Sequence, residues 1–346
     1  MTQHEPVRVA INGYGVIGKR VAAAVMAQPD MRLAGLVDIA TDWRLRPPVA
    51  QGIDVYSATP EHVAPMREAG LPIAGTLDDL VGRADLVVDC TPKRVAARNA
   101  ETYRASGLKF IVHGGEKHEV TEHSFVAEVS FESAVGRAAT RVVSCNTTSI
   151  VRTLTALKRA GLLKRARGTL LRRATDPWES HLGGIMNTLV PEPDIPSHQG
   201  PDARSVDPEL DVVTMAVKVP QTLAHLHYWS VQLTRSASKE EVLDAFRASS
   251  RIALIRAGDG LVAINTVKEL MADLGRPHDN LYEVALWEDM LKVDRDELFY
   301  AYMVDNQAIV IPDTIDAIRA LAGLATNASE SMARTNDALG IHGRLY

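Results

Sequence analysis

The chain has 346 residues, of which 46% are apolar and 23% charged, with a net charge of −5. This is the composition of a folded globular protein, long enough for two cores rather than one. The mild negative charge excludes a general attraction to nucleic-acid backbones or anionic lipid, so a phosphorylated ligand has to be met by locally placed arginines.

From the N-terminus, polar residues Met1 to Pro6 show no apolar leader and no cleavage pattern. Short apolar runs then alternate with helical patterns. Strands are predicted over Val7–Asn12, Arg32–Asp38, Leu86–Cys90, Lys109–Val112 and Arg141–Ser144, with helices such as Val16–Ala27 and Leu77–Arg83 between them. The runs are apolar throughout, as parallel strands covered by helices on both faces require. After Cys145 the pattern changes: Thr169–Arg173, Val212–Val219 and His225–Leu233 alternate partially and suit a mainly antiparallel sheet, and Lys239–Ser249 reads as a helix. The stretch Pro191–Pro208 reads as a structured loop, and Asp313–Ala325 and Ser329–Leu339 as helices. The expected fold is α/β: a Rossmann dinucleotide-binding domain over 1–144, an α+β catalytic domain over 145–308, and C-terminal helices over 309–346 packing back on the first domain. No run approaches the ~20 apolar residues of a membrane span.

The first strand leads through Gly13-Tyr14-Gly15-Val16-Ile17-Gly18 into a helix. In that context the first glycine allows the tight turn and the second lets a pyrophosphate approach the backbone. The third lets helix and strand pack closely, and the helix N-terminus favours the anion. Asp38, at the end of the second strand, is placed to accept both ribose hydroxyls of NAD and to repel the 2′-phosphate of NADP. Arg44 and Arg46 stand close enough in sequence to counter that preference. NAD is the expected cofactor, with NADP less favoured.

Ser144-Cys145-Asn146-Thr147-Thr148 joins a strand end to a helical pattern. Backbone N–H groups at a helix start stabilise a thiolate and lower the thiol pKa, and the same groups can stabilise an oxyanion. Cys145 is therefore the candidate nucleophile, against the bland alternative of a buried structural cysteine. Cys90 ends a Rossmann strand and is expected to pack beside the cofactor. With only these two cysteines there is no disulfide framework, and a reducing, cytoplasmic setting is expected. His113, His118 and His123, with Glu116 and Glu119, lack metal-ligand periodicity, and no metal site is expected. His225 and His227 share one strand face; either can serve as a general base, and the spacing alone favours two half-buried strand histidines.

Taken together the motifs resemble the archaeal-type (type II) glyceraldehyde-3-phosphate dehydrogenases. The resemblance runs through Ile11-Asn12-Gly13-Tyr14-Gly15, Asp89-Cys90-Thr91-Pro92, Gly114-Gly115-Glu116-Lys117 and Ser144-Cys145-Asn146-Thr147-Thr148. It continues through Arg172-Arg173, Asp176-Pro177, Pro196-Ser197-His198, Gly200-Pro201-Asp202, Thr222-Leu223, His225 and Thr335-Asn336. It implies a homotetramer that oxidises glyceraldehyde 3-phosphate with a nicotinamide cofactor and inorganic phosphate, giving an acyl phosphate through a thioester. By the same resemblance Cys145 matches the nucleophile and His225 the catalytic base. Val16, Ile17, Thr91, Gly114, Arg173 and Asn306 match cofactor contacts. Ser144, Asn146, Thr147, Arg172, His198 and Gln199 match the substrate and phosphate region.

The chain departs from the family at four places. Asp38 stands where the family usually has a lysine, and His198-Gln199 where it commonly has His-His. Asn306-Gln307-Ala308 replaces Gln-Glu-Ser, and Ser149 replaces a glycine. These departures motivate a second reading, the same chemistry on another phosphorylated aldehyde such as a four-carbon sugar phosphate. A third reading is an NAD-binding regulator without catalysis, and a semialdehyde-type acyl-phosphate reductase ranks below these.

Overall fold

The computed structural model describes residues 5–182 and 185–346, with side chains described for all of these but 180–182. The polar stretch up to His4 lies outside the described residues. The chain divides into two units: one runs through Val143 and adds Ile311–Leu339, and the other comprises Ser144–Val310 and Gly340–Tyr346. The segment expected as 309–346 is thus divided, with its two helices in the first unit and its last seven residues in the second.

In the first unit the strands are β1 (Val7–Asn12), β2 (Met31–Asp38), β3 (Val55–Ser57), β4 (Ile73–Thr76), β5 (Leu86–Asp89), β6 (Lys109–His113), β7 (Ser124–Phe125) and β8 (Ala139–Val142). They form one parallel sheet in the order β4-β3-β2-β1-β5-β6-β8-β7. The apolar runs explain this: Leu86, Val87 and Val88 are fully buried, and so are Ile111 and Val112, because helices cover both faces. Strand order reverses between β1 and β5, the switch point at which parallel sheets open a ligand crevice at their carboxyl ends. The strands end slightly earlier than predicted, β5 at Asp89 and β8 at Val142, because the residues that follow turn into the crevice loops. The helices Val310–Ala322 and Ala328–Leu339 are tied to this unit, with Ala127 N–H donating to Asp313 at 2.8 Å and Gly136 N–H to the Ala320 carbonyl at 2.9 Å.

The second unit holds β9 (Leu163–Arg173), β10 (Val190–Pro191), β11 (Val212–Val219), β12 (His225–Leu233), β13 (Ile252–Ile255), β14 (Val284–Trp287), β15 (Lys292–Asp294) and β16 (Glu297–Val304). The order is β10-β11-β9-β12-β16-β14-β13, with β15 on β16. Pairing is mainly antiparallel, and β9–β11 and β13–β14 are parallel. The Pro-rich stretch read as a loop carries β10 and a short helix, Gln199–Arg204. Because β12 runs antiparallel to both neighbours, its first residue lies beside the last residues of β9 and β16: His225 pairs with Val304, and Leu226 with Leu171. The helix Cys145–Arg159 is buried from Asn146 to Leu157. Its buried Arg152 donates from its two terminal nitrogens to the Tyr282 and Ile309 carbonyls at 2.8 and 3.1 Å, which anchors the helix inside the unit.

Candidate active site

The glycine motif of the first unit has the geometry an anion-binding turn needs. Gly13 adopts φ +91°, and a Cβ there would stand 3.0 Å from the Cys90 and Thr91 backbone, so only glycine fits. A Cβ on Gly18 would lie 1.9 Å from the Gly13 carbonyl oxygen, which fixes how closely the helix Val16–Met26 meets the turn. Gly15 faces open space and caps that helix without a side-chain hydrogen bond. The first-turn N–H groups beside Val16 and Ile17 therefore lack a capping acceptor, the state that a dinucleotide pyrophosphate satisfies.

Asp38 is more engaged than its position suggested. One carboxylate oxygen accepts the Tyr14 N–H at 2.7 Å, and the other accepts the Ile39 and Ala40 N–H groups at 2.7 and 2.8 Å. Three of a carboxylate's roughly four acceptor positions are then in use. Arg44 is held by Asp42 through three side-chain bonds of 2.9, 3.1 and 2.7 Å, and Arg46 donates to the Ala69 carbonyl at 3.1 Å. Neither arginine is idle.

At the neighbouring strand end, buried Asp89 accepts from Asn99 and Tyr103, each at 2.8 Å, and from the Thr91 N–H at 2.9 Å. This fixes Thr91 in the turn after β5. Cys90 lies between them, and burial pushes its thiol well above the ordinary value, which makes it a packing residue. Gly114 begins the turn after β6. Of the nearby histidines, His118 bonds the Ser124 hydroxyl at 2.9 Å, and His123 bonds Thr140 and Ser133 at 2.7 and 2.9 Å.

In the second unit Cys145 opens its helix, and Ser144 caps it by accepting the Thr147 N–H at 3.3 Å. The expectation of a lowered thiol pKa is corrected. Burial raises it above the ordinary value; Arg173, Arg172 and the Asn146 N–H oppose that shift without cancelling it, and Asp305 adds to it. Here desolvation outweighs the helix start. Thr147 donates to Asp202 at 2.7 Å, and the Thr148 hydroxyl is buried without a partner.

The two strand histidines separate cleanly. His225 Nδ1 accepts the Arg173 N–H at 3.0 Å, so the neutral ring carries its proton on Nε2. Burial, then His227, Arg173 and Arg172, hold its pKa well below the ordinary value. His227 is wholly buried, with Nε2 at 2.9 Å from Asn146 Oδ1 and Nδ1 at 3.0 Å from the Tyr302 hydroxyl. Burial and Arg172 lower its pKa to about 3. It orients Asn146, one residue from the thiol.

Arg172 and Arg173 are the last two residues of β9 and pair with different carboxylates. Arg172 pairs with Glu192, and Arg173 with Asp176 at 3.0 Å. Asp176 also accepts from Gln307 at 2.8 Å, joining the end of β9 to the residues after β16. The neighbouring Asn306 is buried with its Oδ1 unpartnered. His198 is largely exposed and lies 3.4 Å from Glu192, whereas Gln199 is wholly buried with neither amide atom bonded. The second unit thus assembles Cys145, Arg172, Arg173 and His225, while the glycine motif, Asp38, Thr91 and Gly114 belong to the first unit. Sequence reasoning gave no role to Asp176, Glu192, Asp202 or Asp305, and could not separate His227 from His225. Asp176 and Asp202 stand within the quoted motifs, and a search for carboxylates near the arginines and threonines of the site would have raised them.

Comparison with known proteins agrees with this division. Residues 144–289 match the family model described as glyceraldehyde 3-phosphate dehydrogenase, C-terminal domain, and residues 7–123 match that of dihydrodipicolinate reductase, N-terminus. Among curated relatives, the glyceraldehyde-3-phosphate dehydrogenase of Archaeoglobus fulgidus is 44% identical over 342 residues, 98% of this chain and 99% of its own. That of Methanobrevibacter smithii is 42% identical over 335 residues, 96% and 99% of the two chains. That of Metallosphaera sedula is 41% identical over 336 residues, 97% and 98% of the two chains.

Proposed function

Because the chain belongs to the glyceraldehyde-3-phosphate dehydrogenase family, we propose that it oxidises D-glyceraldehyde 3-phosphate with NAD and inorganic phosphate, through a thioester on Cys145. The observation that carries this reading is the meeting, in one unit, of a thiol at a helix start, two arginines acting on it, and a histidine whose Nδ1 accepts the backbone N–H of Arg173. The nicotinamide cofactor, when bound, supplies the hydride acceptor.

The residues then act in sequence. The Cys145 sulfur attacks the aldehyde carbon, the carbonyl double bond opens, and the thiol proton ends on the oxygen as the hemithioacetal hydroxyl. As the carbonyl oxygen gains charge, His225 donates to it from Nε2–H, the only donor a neutral ring with an occupied Nδ1 can offer. Hydride departure requires the hemithioacetal hydroxyl to lose a proton. For His225 to take it as base, the ring must give up the Arg173 N–H contact and carry its one proton on Nδ1 instead of Nε2, which exposes the Nε2 lone pair. Inorganic phosphate attacks the thioester carbon, the carbon–sulfur bond breaks, and Cys145 leaves as thiolate beside the guanidinium groups of Arg172 and Arg173. Ser144, Asn146, Thr147, His198 and Gln199 complete the substrate contacts in this reading, and Asn306 and Arg173 the nicotinamide end.

NAD is ranked ahead of NADP because the Asp38 carboxylate repels a 2′-phosphate and the nearest arginine, Arg44, is already held by Asp42. The same proposal includes a homotetramer, which light scattering tests, and a cytoplasmic setting, in keeping with two free cysteines. Among the described residues no helix is long and apolar enough to cross a membrane. The deciding experiment follows NADH absorbance with glyceraldehyde 3-phosphate and NAD, with and without inorganic phosphate. Sustained turnover only with phosphate is expected. A single burst that stalls in its presence would replace phosphate by another acceptor, and absence of NADH from enzyme shown to bind NAD would overturn the substrate.

A further inference from the structure

The carboxylate of Glu192 occupies the groups expected to hold a phosphate. Glu192 follows β10, and its N–H donates to the Ala216 carbonyl of β11 at 2.9 Å, which anchors it to the sheet. One carboxylate oxygen meets Arg172, and the other lies 3.4 Å from His198 Nδ1. Two oxygens on a guanidinium and an imidazole reproduce part of what a phosphate group would bind there. A donor is left over there: Arg172 Nε is buried without a partner. Gln199, which follows His198 in the chain, is fully buried with its amide nitrogen and oxygen both unbonded. Buried polar atoms of this kind are costly unless a ligand or water satisfies them. A carboxylate offers two oxygens, whereas a phosphate group offers three, enough to reach a donor that Glu192 leaves unmet.

Resting on the function proposed above, we propose that Glu192 is a resident anion in the Arg172–His198 site, displaced when a phosphate group binds, and that it sets the affinity of that site. The phosphate arrives either on the aldehyde or as the inorganic co-substrate, since the two share the recognising chemistry. The Glu192 charge opposes both, and its side chain turns away from Arg172 as the dianion takes the arginine and histidine donors.

The test uses NAD-saturated enzyme as wild type, Glu192→Gln, which keeps the shape and removes the charge, and Glu192→Ala, which removes the carboxamide too. Calorimetric titration with inorganic phosphate is expected to show binding tightened about 10-fold in both variants, the scale of removing one like-charge contact. In turnover, a fall in KM for glyceraldehyde 3-phosphate, with KM for unphosphorylated glyceraldehyde unchanged, assigns the site to the substrate phosphate. A fall in KM for inorganic phosphate instead assigns it to the co-substrate. Unchanged or weakened phosphate binding in both variants overturns the proposal. If the wild type fails to turn over glyceraldehyde 3-phosphate while the titrations tighten, the proposed function fails and the resident anion stands. Normal turnover with flat titrations means the reverse.

Discussion

At Cys145 the helix start and two arginines pull the thiol toward ionisation while burial pushes the other way, and burial prevails. An acid whose folded pKa is raised stays protonated through neutrality and ionises only as pH climbs past its ordinary value. The rate of alkylation of Cys145 by iodoacetamide should therefore keep rising above about pH 9, near or beyond the ordinary thiol range. A plateau already at neutral pH would show that the arginines dominate. His225 has the opposite shift and remains neutral across the working range. Replacing it by alanine is expected to lower kcat by about 10²–10⁴ while NAD still binds. An equal loss from His227→Asn, with kcat no better than in the His225 variant, would contradict the separation of roles drawn from their hydrogen bonds. The sequence could propose both histidines and not choose between them, because they share a strand face. What distinguishes them is the partner on the next strand, Arg173 for one and Tyr302 for the other.

The turn after β1 contains two glycines that do different work. Gly18 is closed in by the Gly13 carbonyl, whereas Gly15 faces open space at a negative φ that alanine tolerates. Gly18→Ala should cost about 1–3 kcal/mol of stability or more, visible as a lower urea midpoint. Gly15→Ala should keep its midpoint and lose NAD affinity, because its methyl group occupies the space through which the cofactor approaches. If both variants bind NAD as wild type does, the turn is not the pyrophosphate site. The strand–turn–helix pattern was legible because its signal is local, six residues long. The short helix Gln199–Arg204 and strand β10 were not. They lie among prolines, which signal turns, and their stability comes from packing against β11 and the helix Cys145–Arg159.

Across the first unit, the C-terminal segment is fastened by a buried guanidinium. Arg319 has no exposed surface and donates to Asp30 at 2.8 and 3.0 Å, to Gln28 at 2.6 Å and to Thr335 at 2.5 Å. Arg319→Met leaves the Gln28 oxygen without its donor and Asp30 with Arg334 as its remaining charged partner, and about 3–5 kcal/mol of stability should be lost. A melting temperature equal to that of wild type would show that the segment is held by apolar packing alone. Acid should weaken the protein through its buried histidines: burial holds His113 and His123 at about 4 and His227 at about 3. The unfolded chain binds protons at these groups from about pH 6.5 downward and the folded chain does not. Stability is therefore level above that pH and falls as pH drops toward 4, before most carboxylates titrate. A melting temperature that stays flat between about pH 7 and 5 would rule this out.

By itself the sequence determined the class of protein, the parallel dinucleotide-binding sheet and the family, because these rest on short motifs and apolar periodicity that neighbouring residues carry. Only the tertiary structure decided that Asp38 is largely taken up by backbone N–H groups, that Arg172 and Arg173 serve different carboxylates, and that His225 holds its proton on Nε2. Each of those depends on a group brought in from another strand or turn, and on burial, a property of the whole packed unit that no local stretch of sequence encodes.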